Sequence, residues 1–232
     1  MIQHVNGIDL WYEKTGDGPP ILLLHGNGES HKIFKVLTDQ LKDSCTVYAL
    51  DSRGHGQSVK SPALHYDLMA EDTAQFILAL KLKKPLLYGF SDGGIIGLLL
   101  ASKYPDLLSR MVISGANTNP DATRRGWDLL FKSMYFFSRS PKIKLMLTEP
   151  HITAVELQKI KIPVLVLAGE KDIIKEEDTR FIAENIPGAT LKILKNESHM
   201  SYVVGSPKLY YEMVTFLDAG SENSAGAVDK AD

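Results

Sequence analysis

Six short apolar runs punctuate the chain, at residues 21–24, 47–50, 86–88, 111–113, 164–168 and 191–194, each bounded by turn-forming residues. Runs this short and this apolar read as strands buried on both faces. Between them lie stretches of helical spacing, most clearly Tyr66, Met69, Thr73, Phe76, Ile77 and Leu80, which put one apolar stripe on a helix and leave Glu71 and Asp72 on its other face. Parallel strands need crossover connections, and helices supply them. The alternation therefore predicts an α/β fold: a mainly parallel central sheet with helices on both faces. Asn6-Gly7 accepts the positive φ angles of a two-residue hairpin turn, so an antiparallel hairpin is expected at the N-terminal end. Ser206-Pro207 is a start signal for a last helix ending near Asp218.

One segment interrupts the pattern. Residues 118–161 contain no obvious buried strand and turn aromatic and basic, with eight Lys and Arg against four Asp and Glu. They read as a small helical cap insertion of one or two helices within a domain spanning 1–218. Residues 219–232 carry too little apolar surface to offset the entropy of ordering and are expected to be a disordered tail.

Composition narrows the function. A formal net charge of -2 in 232 residues gives no general attraction toward nucleic acid or an anionic membrane, so a small-molecule partner is expected. No apolar run approaches the roughly 20 residues of a membrane helix. A single cysteine, Cys45, excludes an intrachain disulfide and a cysteine-built metal site, and it is expected to be a buried structural thiol. With no secretory signal at residues 1–7, a cytoplasmic location is the expectation. Neither metal nor organic cofactor is called for, and oligomeric state is left open.

The chemistry concentrates in Gly89-Phe90-Ser91-Asp92-Gly93-Gly94, a G-x-S-x-G motif placed after one apolar run and before a helical one. A serine on so tight a turn has a strained backbone, and flanking glycines let neighbouring chain approach it. An earlier strand leads into His25-Gly26-Asn27-Gly28. Backbone N–H groups there can face the same end of the sheet, as a developing oxyanion requires. The N–H groups of Asn27 and Asp92 are the expected pair.

Taken together, the His25–Gly28 loop, the glycine-rich stretch at 51–58, the Ser91 turn, Gly169-Glu170-Lys171-Asp172 and Glu197-Ser198-His199 resemble the successive landmarks of the α/β-hydrolase family. The resemblance runs from Ile2 to about Asp218 and implies a serine hydrolase with Ser91 as nucleophile, His199 as general base and Asp172 as the acid that orients the histidine. Glu170 is the substitute acid, and capping of the next helix is the other role open to Asp172. Among the remaining histidines, His25 and His55 are expected to shape loops. His4, His31, His65 and His151 are expected at the surface or in loops. Asp51 and Arg53 read as a structural loop. The Asp92 carboxylate suits the positive end of a helix; selection of a substrate amine, as in G-x-S-D-G-G amino-acid ester hydrolases, is the alternative. Phe90, Trp127, Phe131, Tyr135 and Met200 are candidates for the substrate pocket. Small to medium carboxylic esters are the expected substrates. Lactone or C–C bond hydrolysis, lyase chemistry and a hydrolase-like ligand receptor remain open on the same residues.

Overall fold

In the computed structural model, which describes residues 1–61 and 63–218, eight strands form one sheet. They are β1 (Ile2–Val5), β2 (Ile8–Thr15), β3 (Pro20–Leu24), β4 (Thr46–Leu50), β5 (Leu86–Phe90), β6 (Met111–Ser114), β7 (Val164–Lys171) and β8 (Thr190–Ser198). Their order is β1-β2-β4-β3-β5-β6-β7-β8. The hairpin β1–β2 is antiparallel, turning at Asn6 (φ 49°) and Gly7 (φ 74°), and β2 runs antiparallel to β4. From β4 to β8 every pairing is parallel. All six expected strands are present, but β8 is a half-exposed strand at the sheet edge rather than one buried on both faces, and the disordered tail expected at 219–232 lies outside the described residues.

The two-sided burial follows from the alternation of side chains along each strand. In β3, Leu22 and Leu24 enter one core while Ile21 and Leu23 enter the other. The first core packs under α2 (Tyr66–Ala79) and α3 (Asp92–Lys103), through Met69, Phe76, Ile77, Ile95 and Leu98. The second packs under α1 (Lys35–Leu41) and the last helix, Lys208–Asp218, through Leu37, Leu41, Leu209 and Met213.

Between β6 and β7 the chain forms α4 (Arg125–Ser138), α5 (Pro141–Thr148) and α6 (Ala154–Leu157), three helices where one or two were expected. Local signals divide them. Arg139 adopts the left-handed conformation (φ 52°, ψ 25°) and stops α4, Pro141 starts α5, and a Thr153–Glu156 capping box starts α6. α7 (Glu176–Asn185) and then α8 (Lys208–Asp218) complete the helices. No helix among the described residues is long and apolar enough to cross a membrane.

Three polar positions differ from expectation. Asp72 does not face solvent. It is buried and takes Arg53 through both oxygens, from Nε at 2.6 Å and Nη2 at 2.7 Å, with Asn6 Nδ2 as a third donor at 2.7 Å. Arg53 thus pairs with α2 rather than with Asp51, whose Oδ1 accepts from the N–H and Nδ1 of His31 at 2.7 and 2.8 Å. His31 is accordingly buried rather than at the surface. Cys45, one residue short of β4, is only half-buried.

A buried ion pair is more costly to break than to replace. Asp72→Ala is therefore expected to lower the unfolding free energy by about 3–5 kcal/mol, with the Arg53→Met/Asp72→Leu double variant recovering most of the loss, as read from urea midpoints.

Candidate active site

Ser91 occupies the single residue between β5 and α3, at φ 51° and ψ -113°. A positive φ is unfavourable for a side chain bearing a Cβ, and it persists only where the surroundings enforce it. Here a tight turn does so. A Cβ on Gly93 would collide with the Leu24 carbonyl, and one on Gly89 with the Gly93 carbonyl. The two glycines let α3 start directly against β3 and β5, which lifts the serine hydroxyl above the carboxyl end of the sheet.

His199 follows β8, and its Nε2 lies 3.1 Å from Ser91 Oγ. Its Nδ1 lies 2.7 Å from Asp172 Oδ1. The carboxylate accepts, so the proton resides on Nδ1 and the Nε2 lone pair faces the serine. Asp172 is buried just beyond β7 and also accepts the Ile174 N–H on Oδ1 at 3.0 Å. That local turn holds the carboxylate without capping a helix, since α7 begins only at Glu176. Glu170 is exposed and accepts the Asn196 N–H at 2.9 Å, away from the histidine. Gly115, which follows β6, packs against the imidazole: a Cβ there would lie 2.6 Å from His199 Cε1, and its φ is 62°. Nothing in the sequence motif pointed to Gly115. A lone glycine after a buried strand was the available signal.

The loop after β3 reaches the same point. A Cβ on Gly26 would stand 3.1 Å from Ser91 Cβ. The Asn27 and Asp92 N–H groups have no hydrogen-bond acceptor among the described residues. His25 braces the loop through Nδ1 to the Gly26 carbonyl (2.8 Å) and by accepting the Ser52 N–H on Nε2 (3.1 Å). Burial lowers its pKa to about 4, and the same cause acts on His55, so both rings are neutral supports near pH 7.

The Asp92 side chain has a definite place. Asn27 Nδ2 donates to its Oδ2 at 2.8 Å, and the Tyr66 hydroxyl donates to its Oδ1 at 2.8 Å. Asn27 Nδ2 also reaches the Lys142 carbonyl of α5 at 3.1 Å. One buried carboxyl thus joins the serine turn, the β3 loop and α2, with α5 tied in through Asn27. Desolvation raises its pKa to about 6, opposed by the two hydrogen bonds.

A cleft of about 350 Å³ opens beside Ser91. Phe90, Phe131 and Met200 line it, and so do Gly26, Glu29, Met134, Lys142, Ile143, Met146 and Ile173. Trp127 and Tyr135 do not. Both sit on α4, but Trp127 points outward at 44% exposure and Tyr135 stacks under the Arg139 guanidinium at 5.6 Å. Glu29 was overlooked in the sequence. Its carboxylate accepts the Gly26 N–H at 3.1 Å, and desolvation raises its pKa. A broader depression of about 470 Å³ near Thr118, Lys175 and Phe181 has no serine, cysteine or histidine in its lining, and its Thr118 hydroxyl is spent on Asp178 Oδ1 at 2.5 Å. Among the described residues no cluster of His, Cys, Asp and Glu is arranged to hold a metal.

A family model described as "alpha/beta hydrolase fold" matches residues 19–145. The human "Serine hydrolase BPHL" is 32% identical, over 84% of this chain and 78% of its own length. An esterase (EaEST) from Exiguobacterium antarcticum superposes with a TM-score of 0.81 at 23% identity, covering 94% of this chain and 98% of the esterase. The enol-lactonase from Burkholderia xenovorans LB400 gives 0.79 at 21% identity, covering 94% and 100%. At such identities these two structures speak for the fold alone.

The raised Asp92 pKa has a consequence for stability. The protonated form is favoured in the folded state, so its contribution is full at low pH and is lost as pH rises from about 4 through about 6. Thermal unfolding followed between pH 5 and 7.5 is expected to show a loss of roughly 1.5 kcal/mol from this group, and Asp92→Asn is expected to remove it.

With its sheet order, its serine turn and a human serine hydrolase of nearly one-third identity all in agreement, this chain belongs to the α/β-hydrolase family.

Proposed function

We propose that the protein is a serine hydrolase that cleaves small to medium carboxylic esters through an acyl-enzyme. The observation that carries this reading is the continuous path from Asp172 through His199 to Ser91, at 2.7 and 3.1 Å, beside two free backbone N–H groups. His199 Nε2 takes the proton from Ser91 Oγ as the oxygen attacks the acyl carbon. Asp172 holds the tautomer and stabilises the imidazolium that forms. The Asn27 and Asp92 N–H groups receive the oxyanion, a contribution worth about 3 kcal/mol per donor. The imidazolium then gives its proton to the leaving alkoxide. In the second half the same nitrogen deprotonates water, which releases the acid and regenerates the hydroxyl. Every proton in the cycle is carried by side chains of the chain itself, and no cofactor enters the scheme.

Substrate size follows from the cleft. Its walls are chiefly apolar, from Phe90, Phe131, Met134, Ile143, Met146, Ile173 and Met200, and it lies under the cap inferred over residues 118–161. A volume near 350 Å³ suits an acyl or aryl group of modest size. The named activities of the esterase and lactonase neighbours agree with acyl transfer at such a site. Lactones are therefore the first alternative substrates to screen. The single cysteine fits a reducing, cytoplasmic setting.

Ser91→Ala is expected to lower nitrophenyl-ester turnover roughly 10⁴-fold without loss of fold, and to abolish labelling by a fluorophosphonate. Near-normal turnover in the purified variant rejects the assignment. Gly115→Ala pushes a methyl into the imidazole and is expected to lower kcat by at least about 10²-fold with KM little changed, since a displacement of about 1 Å has that effect. Across nitrophenyl esters of rising acyl length, kcat/KM should peak at short or medium chains. A preference for the longest chains contradicts the size assignment.

A further inference from the structure

Tyr202 lies three residues beyond His199, in the loop that carries the chain from β8 to α8. That loop is braced at both ends. The Ser198 N–H donates to Ser201 Oγ at 2.8 Å, Ser201 Oγ donates to Glu197 Oε2 at 2.6 Å, and the Leu209 N–H reaches the Tyr202 carbonyl at 3.2 Å. The Tyr202 ring enters the second core and is fully buried. A phenylalanine fills such a place equally well, whereas a phenolic hydroxyl taken out of water costs free energy unless it finds a partner. Yet the Tyr202 hydroxyl has no hydrogen-bond partner among the described residues.

The acid of the relay has the matching deficit. Asp172 spends Oδ1 on His199 Nδ1 and on the Ile174 N–H, while its Oδ2, equally enclosed, accepts from nothing among the described residues. A buried carboxylate oxygen is among the costliest groups to leave unsatisfied. One of these two atoms has a hydrogen to give and the other a lone pair to fill, and both lie at the end of β6. Asp172 Oδ2 is 3.5 Å from the point a Cβ on Gly115 would occupy, and the preceding residue, Ser114, meets the Tyr88 hydroxyl at 2.7 Å. Burial pushes the Tyr202 pKa far up; Tyr88, Asp172 and Glu197 add to the rise, and the Ser114 hydroxyl opposes it. The phenol therefore keeps its proton, within the field of the Asp172 carboxylate. Buried groups beyond direct reach of each other are ordinarily joined by one ordered water.

We propose that Tyr202 is a positioning residue of the relay, its hydroxyl donating through one buried water to Asp172 Oδ2 and so fixing the carboxylate against His199. The catalytic consequence rests on the serine-hydrolase reading; the contact itself does not.

Tyr202→Phe removes one oxygen and keeps the ring, so the native circular dichroism spectrum should be retained. Its kcat on a nitrophenyl ester is expected to fall about tenfold with KM little changed. The acidic limb of the kcat/KM profile should move to higher pH, because a carboxylate that has lost a donor holds the imidazolium more strongly. In the Asp172→Asn background the same change should have little further effect on kcat. Unaltered kinetics, with the urea midpoint either kept or changed, overturns the proposal, and so does an equal loss of kcat in both backgrounds. The His199 imidazole titration, followed by NMR in Ser91→Ala with and without Tyr202→Phe, needs no turnover and therefore separates failure of this proposal from failure of the hydrolase reading. Its midpoint is expected to rise when the hydroxyl is removed, and an unmoved midpoint overturns the proposal.

Discussion

The positive φ of Ser91 is the constraint on which the site depends. Holding a non-glycine residue there costs about 1–3 kcal/mol, and it persists because α3 is pressed against β3 and β5 by contacts that leave no room for a Cβ at Gly89 or Gly93. The same closeness aligns the first free N–H of α3 with the loop after β3. Serine exposure and the placing of the two proposed oxyanion donors are thus two results of one helix–strand approach. The buried leucines and isoleucines of both cores keep that approach fixed.

Around this turn most buried polar groups answer one another, although His55 Nε2 and Asp172 Oδ2 have no partner among the described residues. His25 and His55 are kept neutral by burial and serve as braces. Asp92 joins the serine turn, the β3 loop, α2 and, through Asn27, α5. Both of its oxygens are already engaged. That favours an organising role for this carboxyl over a direct grip on a substrate amine, and it makes the side chain of Asn27 as relevant as its backbone. Ordering this network reduces the reorganisation left for the moment when charge develops on a substrate.

The strand-forming segments and the three residues of the proposed relay were legible in the sequence because their signals are local. Short apolar runs, a glycine-flanked serine and polar residues just past strand ends can each be read from a few neighbours, and a parallel sheet gathers strand ends on one edge. The segment between β6 and β7 was legible only as an interruption, since its helix boundaries rest on single residues such as Arg139 and Thr153. The pocket was legible in part. Phe90, Phe131 and Met200 line it, whereas Glu29, Lys142 and Met146 come from loops and short helices whose orientation no periodicity encodes.

By itself the sequence determined the alternation of strands and helices, the placement of Ser91 between one of each, and the order in which serine, acid and histidine appear. Only tertiary structure decided which polar side chains meet: that Asp72 turns inward to Arg53, that His31 is buried on Asp51, and that Asn27 and Tyr66 share Asp92. The reason is physical. A backbone preference is set by a residue and its near neighbours, but a buried polar group is tolerable only when a partner, often many dozens of residues away, arrives to satisfy it.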